Sequence, residues 1–261
     1  MARIVDSREI LWQMVASDLR RRYAGSLLGL AWTFIHPLVL VGIYTLVFSR
    51  IIGMRLGMGN NPYAFSIYLC AGLLPWLGVS DIIQRGTGIF LENAHLVKKI
   101  AFPRVLLHLQ VLIGAAINTG LVMAIFLAVM VASGQDLTPA AILVWVLLVA
   151  VQLLFAAGLA TIVSVLNVFF RDVLQVVGIA LQIWFWLTPI VYVIDVLPAP
   201  AQSAMRFNIL YLFTRIHQNL LLTGILPSAG AVAGVLVAAA ASMLAGWGAY
   251  RLARHRIVDE L

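Results

Sequence analysis

The sequence predicts an all-α, polytopic membrane protein: six transmembrane helices, an amphipathic interface helix before them, and a re-entrant helical hairpin on the outer side between the fifth and sixth. Three observations carry this. Hydrophobic residues make up 63% of the 261 and charged residues only 10%, too little polar surface for a soluble chain of this length. Apolar stretches of about 20 residues or more, enough to cross the hydrocarbon layer, recur along the chain. The Lys and Arg residues gather where those stretches end.

Residues 4–22 place Ile4, Leu11, Trp12, Met14, Val15 and Leu19 mostly on one helical face, with Asp6, Glu9, Gln13, Ser17 and Arg20 opposite. That pattern suits a helix lying at the interface. A polar stretch precedes the first long apolar run, so no cleavable leader is expected and the first helix stays. The six spans are expected at about 28–53, 64–89, 105–133, 139–168, 173–194 and 228–250. Their ends carry turn residues: Asn60 to Pro62, Pro103, Gly134 to Pro139, Pro198 with Pro200, and Pro227. Pro75 and Pro189 fall inside spans and are expected to kink them, and Gly230 with Gly234 to let the sixth approach a neighbour closely.

The whole chain, 1–261, reads as a single transmembrane domain with three subsidiary segments: the interface helix (1–26), an inner loop (90–104) with room for a short helix, and an outer segment (195–227). The last is too polar to span and too apolar for an ordinary loop. Its Arg206, Asn208, Arg215, His217 and Asn219 would be costly facing lipid and should face protein or water. With the amino terminus inside, thirteen basic residues lie inside: Arg3, Arg8, Arg20, Arg21, Arg22, Arg85, Lys98, Lys99, Arg104, Arg171, Arg251, Arg254 and Arg256. Only Arg50, Arg55, Arg206 and Arg215 of the 17 lie outside. The positive-inside rule then places both termini in the cytoplasm. It also accounts for the net charge of +7 without nucleic acid, for which no basic domain is present.

Signatures of catalysis and metal binding are missing: no His-Glu-x-x-His, no Cys-x-x-Cys, no Gly-x-Ser-x-Gly. No Gly is followed by Lys, so the chain has no loop of the Gly-x-x-x-x-Gly-Lys type to cradle ATP, and an ATP-driven process would need its motor on another polypeptide. The single Cys70 can form no intrachain disulfide. Arg20, Arg21 and Arg22 are either topology determinants or a grip on a lipid headgroup or pyrophosphate, since guanidinium binds phosphate oxygens bidentately. Aromatics concentrate in the first and fifth spans, as Trp32, Phe34, Tyr44 and Phe48, then Trp184, Phe185, Trp186 and Tyr192. They serve either as a path for apolar sugar faces or as belts and packing, and successive helical residues diverge by about 100°, so the Trp184-Phe185-Trp186 run cannot all face one pore. Asp81 and Arg85, four apart in acid-before-base order, are expected to neutralise one another.

RYAGSLLGLAWTFIHPLVLVGIYTLVFS from Arg22 to Ser49, SIYLCAGLLPW at 66–76, LNVFFRD at 166–172 and IWFWLTPIVY at 183–192 resemble the permease subunits of polysaccharide-exporting ABC transporters of the type-two exporter class, with O-antigen and teichoic-acid permeases nearest. The resemblance runs through nearly the whole chain in order. It implies an interface helix before Arg22 and a gating element after it, a coupling helix within 90–104 (Glu92, His95, Lys98 and Lys99) that docks on the ATPase, and an outer gate at 195–227 (Arg206, Asn208, Arg215 and His217). It further implies a homodimer enclosing the channel in the bacterial inner membrane, and two ATP-binding cassette subunits that hold ATP and Mg, leaving no cofactor in this chain. The cargo would be a glycan on undecaprenyl pyrophosphate. Family members carry Asn-Pro where this chain reads Asn208-Ile209, which bears on the turn geometry there. An ion-coupled secondary transporter would want ionisable residues at the span centres, which are almost free of them. A membrane-embedded enzyme would want a convergent acid, base or nucleophile, which the sequence lacks.

Overall fold

The computed structural model describes residues 2–23, 27–44, 46–47, 64–98, 102–132, 134 and 137–261, and among them every regular element is a helix. In order these are α1 (Ala2–Tyr23), a 3-10 turn at Gly29–Ala31, α2 (Trp32–Tyr44), α3 (Ala64–Glu92), α4 (Ala94–Val97), α5 (Val105–Ala132), α6 (Pro139–Phe169), α7 (Val173–Trp186), α8 (Ala199–Ala204), α9 (Ile209–Thr223), α10 (Ala229–Ala253) and α11 (Arg256–Glu260).

Four of them, α3, α5, α6 and α10, are long and apolar enough to cross a bilayer. Their boundaries fall within about four residues of the apolar runs expected for the second, third, fourth and sixth spans. Local chemistry sets several ends. Thr138 accepts the Ala141 amide (3.2 Å) ahead of Pro139 at the first helical position of α6, where a missing N–H costs nothing. Ser228 does the same for Ala231 (3.3 Å) at the start of α10. Gly224 closes α9 with φ 68°, a left-handed conformation that glycine adopts without strain.

The fifth expected span is different. Helix α7 has 14 residues, about 21 Å at 1.5 Å per residue, against a hydrocarbon layer of about 30 Å. It ends at Trp186, and Pro189 therefore does not kink a continuing helix; it stands beyond the helix end. A proline there has no N–H to offer, and its ring would collide with the Phe185 carbonyl four residues back. Of the first expected span, α2 carries Trp32–Tyr44 with Pro37 inside it, and 48–53 lie outside the described residues.

Helix α3 is the centre of the packing: it touches α5, α6, α7 and α9, and most of its length is buried. The most extensive helix pair is α6 with α10. A Cβ on Gly158 would fall against the backbone of Ser242 and Met243, and one on Gly246 would lie 2.6 Å from the Gly158 carbonyl oxygen. These are the residues that let the two helices close. Gly230, expected to do this, has open space around it, and Gly234 meets only Leu212. A second cluster at one end of the bundle joins Phe90, Val97, Leu107, Val111, Val165, Val168 and Ile257, with Met14 and Tyr250 packed on it. It brings α1, α4 and α11 to the same end, so both terminal helices lie on one side of the bundle. Residues 195–227, expected on the outer side, include α8, a 3-10 turn at Met205–Phe207, and α9, whose apolar face packs on α3, α6 and α10.

Replacing Gly158 with Leu is expected to force α6 and α10 apart and to cost about 1–3 kcal/mol or more, the range for overpacked cores. Gly230→Leu, facing open space, should be near neutral. The monodisperse fraction after graded heating in detergent measures both, and equal behaviour of the two variants would contradict the packing.

Candidate functional site

Side chains that tie elements together over long sequence distances collect at the two ends of α3. At the end shared with α1 and α4, Arg85 is the junction. Its Nη1 donates to Asp18 of α1 at 2.7 Å, its Nε lies 3.3 Å from Asp81 one helical turn away, and its Nη2 donates to the Val111 carbonyl of α5 at 3.1 Å. The expected Asp81–Arg85 pair is present, but the shorter contact is to Asp18, 67 residues earlier. Asn93 donates to the Ile89 carbonyl (2.9 Å) as α3 gives way to α4. Val97 anchors α4 in the core while Glu92, His95 and Lys98 stand exposed. A polar crevice of about 380 Å³ separates α4 from α1, lined among others by Gln13, Asp18, Arg85, Glu92 and His95. The short helix expected within 90–104 is therefore there, exposing three of its four expected docking residues; Lys99 lies outside the described residues.

At the opposite end, the chain leaving α7 exposes carbonyls that a continuing helix would have satisfied, and side chains from other elements take them over. The Tyr68 hydroxyl lies 3.1 Å from the Pro189 oxygen and 2.9 Å from that of Tyr192, one donor between two acceptors. Gln218 of α9 donates to Pro189 as well (3.1 Å), and the Tyr192 hydroxyl donates to Trp186 (2.9 Å). Asn208 closes the network: it caps α9 by accepting the Leu210 amide (3.1 Å), accepts the Trp184 indole N–H (2.9 Å), and donates towards Leu187 and Thr188. Deeper, His217 of α9 is fully buried with Nε2 2.7 Å from Gln152 Oε1 of α6. Accepting amide oxygen and donating ring nitrogen together fix the proton on Nε2.

Trp184 and Phe185 form a cluster with Trp76 of α3, with ring centroids 6.2 and 5.9 Å from it, and Trp184 also meets Phe155 of α6. Trp186 is exposed, its ring edge-to-face with that of Phe185 at 5.4 Å, while Phe185 is buried, so the three consecutive rings do not all face one way. Trp32 is exposed, and Phe34 lines a separate apolar cavity of about 450 Å³ between α2, α3 and α5. Phe48 lies outside the described residues, as does the side chain of Tyr44. Arg20 is exposed on α1; Arg21 and Arg22 belong to that helix, with their side chains outside the described set. Of the expected apolar face of α1, Val15 is buried whereas Trp12 is exposed. Among the described residues no group of three His, Cys, Asp or Glu is placed to hold a metal ion.

Residues 9–222 match the ABC-2 type transporter family. The chain belongs to that family. It is similar to the O-antigen export system permease protein RfbA of Myxococcus xanthus, 32% identical over 185 residues that cover 71% of this chain and 68% of the relative. To the protein of the same name from Klebsiella pneumoniae it is 30% identical over 223 residues, 84% of this chain and 82% of the relative. As an ABC-2 family member it is a membrane component of an ATP-binding-cassette transporter.

Within this ABC-2 chain, Asn208 and His217 of the expected outer gate face protein, while Arg206 and Arg215 are exposed and take no part in the network. Sequence reasoning assigned no role to Tyr68, Trp76, Gln152 and Gln218; Tyr68 and Trp76 lie within the SIYLCAGLLPW run at 66–76, and the one signal common to all four is a side chain able to hydrogen-bond within a helix-forming stretch. The departure at Asn208-Ile209 has a simple account. Ile209 is the first residue of α9, the position where Pro and other residues are interchangeable.

Ile209→Pro is accordingly expected to fold and to shift thermal stability by little, whereas Asn208→Ala, losing the cap and the indole bond, should cost about 1–2 kcal/mol. Thermal unfolding of the purified variants separates them; the reverse order would contradict the assigned cap. At the other end, Arg85→Met should loosen α1 more than Asp18→Asn, because it removes both hydrogen bonds and the ion pair with Asp81. Limited proteolysis of α1 in the assembled protein reports this, and equal cleavage of wild type and Arg85→Met would refute the junction.

Proposed function

We propose that this chain is the channel-forming permease of an ABC exporter that moves a lipid-linked polysaccharide, of O-antigen type on an undecaprenyl pyrophosphate carrier, across the bacterial inner membrane. The observation that carries the reading is the similarity, over more than four fifths of both chains, to a protein named for O-antigen export. In this reading two copies enclose the channel, and two separate ATP-binding subunits bind ATP and Mg and supply the energy. The chain crosses the membrane six times, α2 with the residues after it and α7 with its broken outer end forming the first and fifth crossings. The end holding α1, α4 and α11 is cytoplasmic, and α8 with α9 makes a re-entrant outer hairpin. The gathering of Arg8, Arg20, Arg85, Arg104, Arg171 and Arg251 at the α1 end supports that orientation.

The described geometry offers a route for force. Closure of the ATPases would press on α4 through Glu92, His95, Lys98 and Lys99. Because α4 follows α3 after one residue and Arg85 fastens α3 to α1 and α5, the push would reach the whole of α3. That helix carries Trp76 against the α7 aromatics and Tyr68 against the broken end of α7, so inner and outer ends would move together. Arg20, Arg21 and Arg22 would meet the pyrophosphate at the membrane surface, where guanidinium pairs strongly with phosphate. Trp32, Phe34, Tyr44 and Phe48 of the first crossing, with Trp184, Phe185, Trp186 and Tyr192, would supply surfaces for sugar faces.

In a strain lacking its own O-antigen permease, the wild-type chain with its ATPase should restore surface glycan. Reversing the charges at Glu92, Lys98 and Lys99 together should reduce export at least about tenfold while the chain remains in the membrane. Restoration that survives loss of ATP hydrolysis but collapses with the proton gradient would overturn the reading in favour of ion coupling, and normal export by the charge-reversed variant would remove α4 from the coupling path.

A further inference from the structure

A groove of about 250 Å³ lies between α2, α3 and α7, bordered by Leu40, Trp76, Ser80, Gln84, Gln182 and Phe185. Its polar content is unusual for its position. Ser80 and Gln84 follow Trp76 at four-residue intervals, which puts all three in one line along α3. Gln182 and Phe185 follow Gly178 at intervals of four and three on the facing side of α7. Gly178 leaves room for the Gln84 amide, whose atoms lie 3.7 and 3.8 Å from where a Cβ would stand. Ser80 and Gln84 are half-buried and Gln182 is exposed, and none of the three side chains has a hydrogen-bond partner among the described residues.

Several interior amide and hydroxyl side chains of this bundle are engaged: Gln152 with His217, Gln218 with Pro189, Asn167 with the Thr87 carbonyl, Ser242 with the Phe155 carbonyl, although Trp145 Nε1, Asn167 Oδ1 and His217 Nδ1 are buried without a partner among the described residues. Amides in the hydrocarbon layer that lack partners are costly facing lipid and belong against water or a polar ligand. We infer that this groove is a sugar-contacting stretch of the transport path, in which Ser80, Gln84 and Gln182 exchange hydrogen bonds with the hydroxyls of a pyranose ring while the aromatic edge at Trp76 and Phe185 meets its C–H face. The chemistry selects this class of ligand. An amide offers both donor and acceptor, as a ring of hydroxyls requires, and neutral groups bind a passing sugar without the charge that would trap it. The lipid carrier's polyprenyl chain would gain nothing from three amide and hydroxyl groups. The assignment rests on the export reading above and names where the glycan touches the chain.

The test uses the full transporter in cells. In a Cys70→Ala background, single Gln84→Cys and Gln182→Cys variants are treated with a small charged methanethiosulfonate reagent, with glycan synthesis running and with it blocked. Both positions should react when synthesis is blocked and react at least about fivefold more slowly while glycan is passing. A Gln84→Leu/Gln182→Leu variant, apolar and well suited to a membrane helix, should reach wild-type levels in the membrane with its ATPase bound yet export at least about tenfold less glycan. Cysteines that never react, labelling that is equal with and without glycan, or normal export by the double Leu variant would each overturn the groove assignment while leaving the export reading intact. Failure of the unmodified chain to restore export would instead remove the reading on which the groove depends.

Discussion

Buried backbone carbonyls must find donors within the protein, and the break after α7 is where this constraint shapes the molecule. A helix satisfies its own backbone, which is why most of the chain is α-helical and why uniform apolar side chains are tolerated along it. Ending α7 at Trp186 releases several acceptors at once. They are met by Tyr68 of α3, by Gln218 and Asn208 of the α9 unit, and by Tyr192 within the segment itself. Two separate elements, α3 and the α9 unit, are thereby fixed to one short stretch of irregular chain. An unsatisfied group in such a setting costs several kcal/mol, so these contacts specify the arrangement as well as stabilise it.

The same logic explains why α3 is central. One end supplies Tyr68, its middle supplies Trp76 to the aromatic cluster, and its other end supplies Arg85 to α1 and α5 before running into α4. A guanidinium with five N–H groups in a rigid fork can hold a carboxylate on one side and a carbonyl on another, which a lysine could not do with the same geometry. In the proposed exporter, these attachments make α3 the element that feels both the ATPase face and the outer hairpin. Gly158 and Gly246, by letting α6 and α10 touch backbone to backbone, provide a stiff support on which α3 packs.

Much of the helical scaffold was legible in the sequence because apolar runs of more than 20 residues admit few alternatives. The starts of α3, α5, α6 and α10 fall close to where Asn60 to Pro62, Pro103, Gly134 to Pro139 and Pro227 announce them. What stayed hidden were contacts without local periodicity. Arg85 shows Asp81 at four residues but gives no hint of Asp18, which depends on how α1 folds back across the bundle end. Small residues are frequent in α10, and the linear pattern does not reveal which of them meets α6, so Gly246 was overlooked in favour of Gly230. Pro189 was visible as a breaker, yet whether a proline kinks or ends a membrane helix depends on donors from elsewhere; Tyr68 and Gln218 supply them. Of the candidate site, the divergence of Trp184, Phe185 and Trp186 followed from helical geometry alone, while their partner Trp76 did not.

The dependence of the α7 break on side chains from α3 and α9 is open to direct measurement by hydrogen–deuterium exchange on the permease in lipid nanodiscs, comparing wild type with a Tyr68→Phe/Gln218→Leu variant. The account predicts that peptides covering 187–193 exchange at least about tenfold faster in the variant while those from α5 are unchanged. Identical protection of 187–193 in both proteins would contradict it.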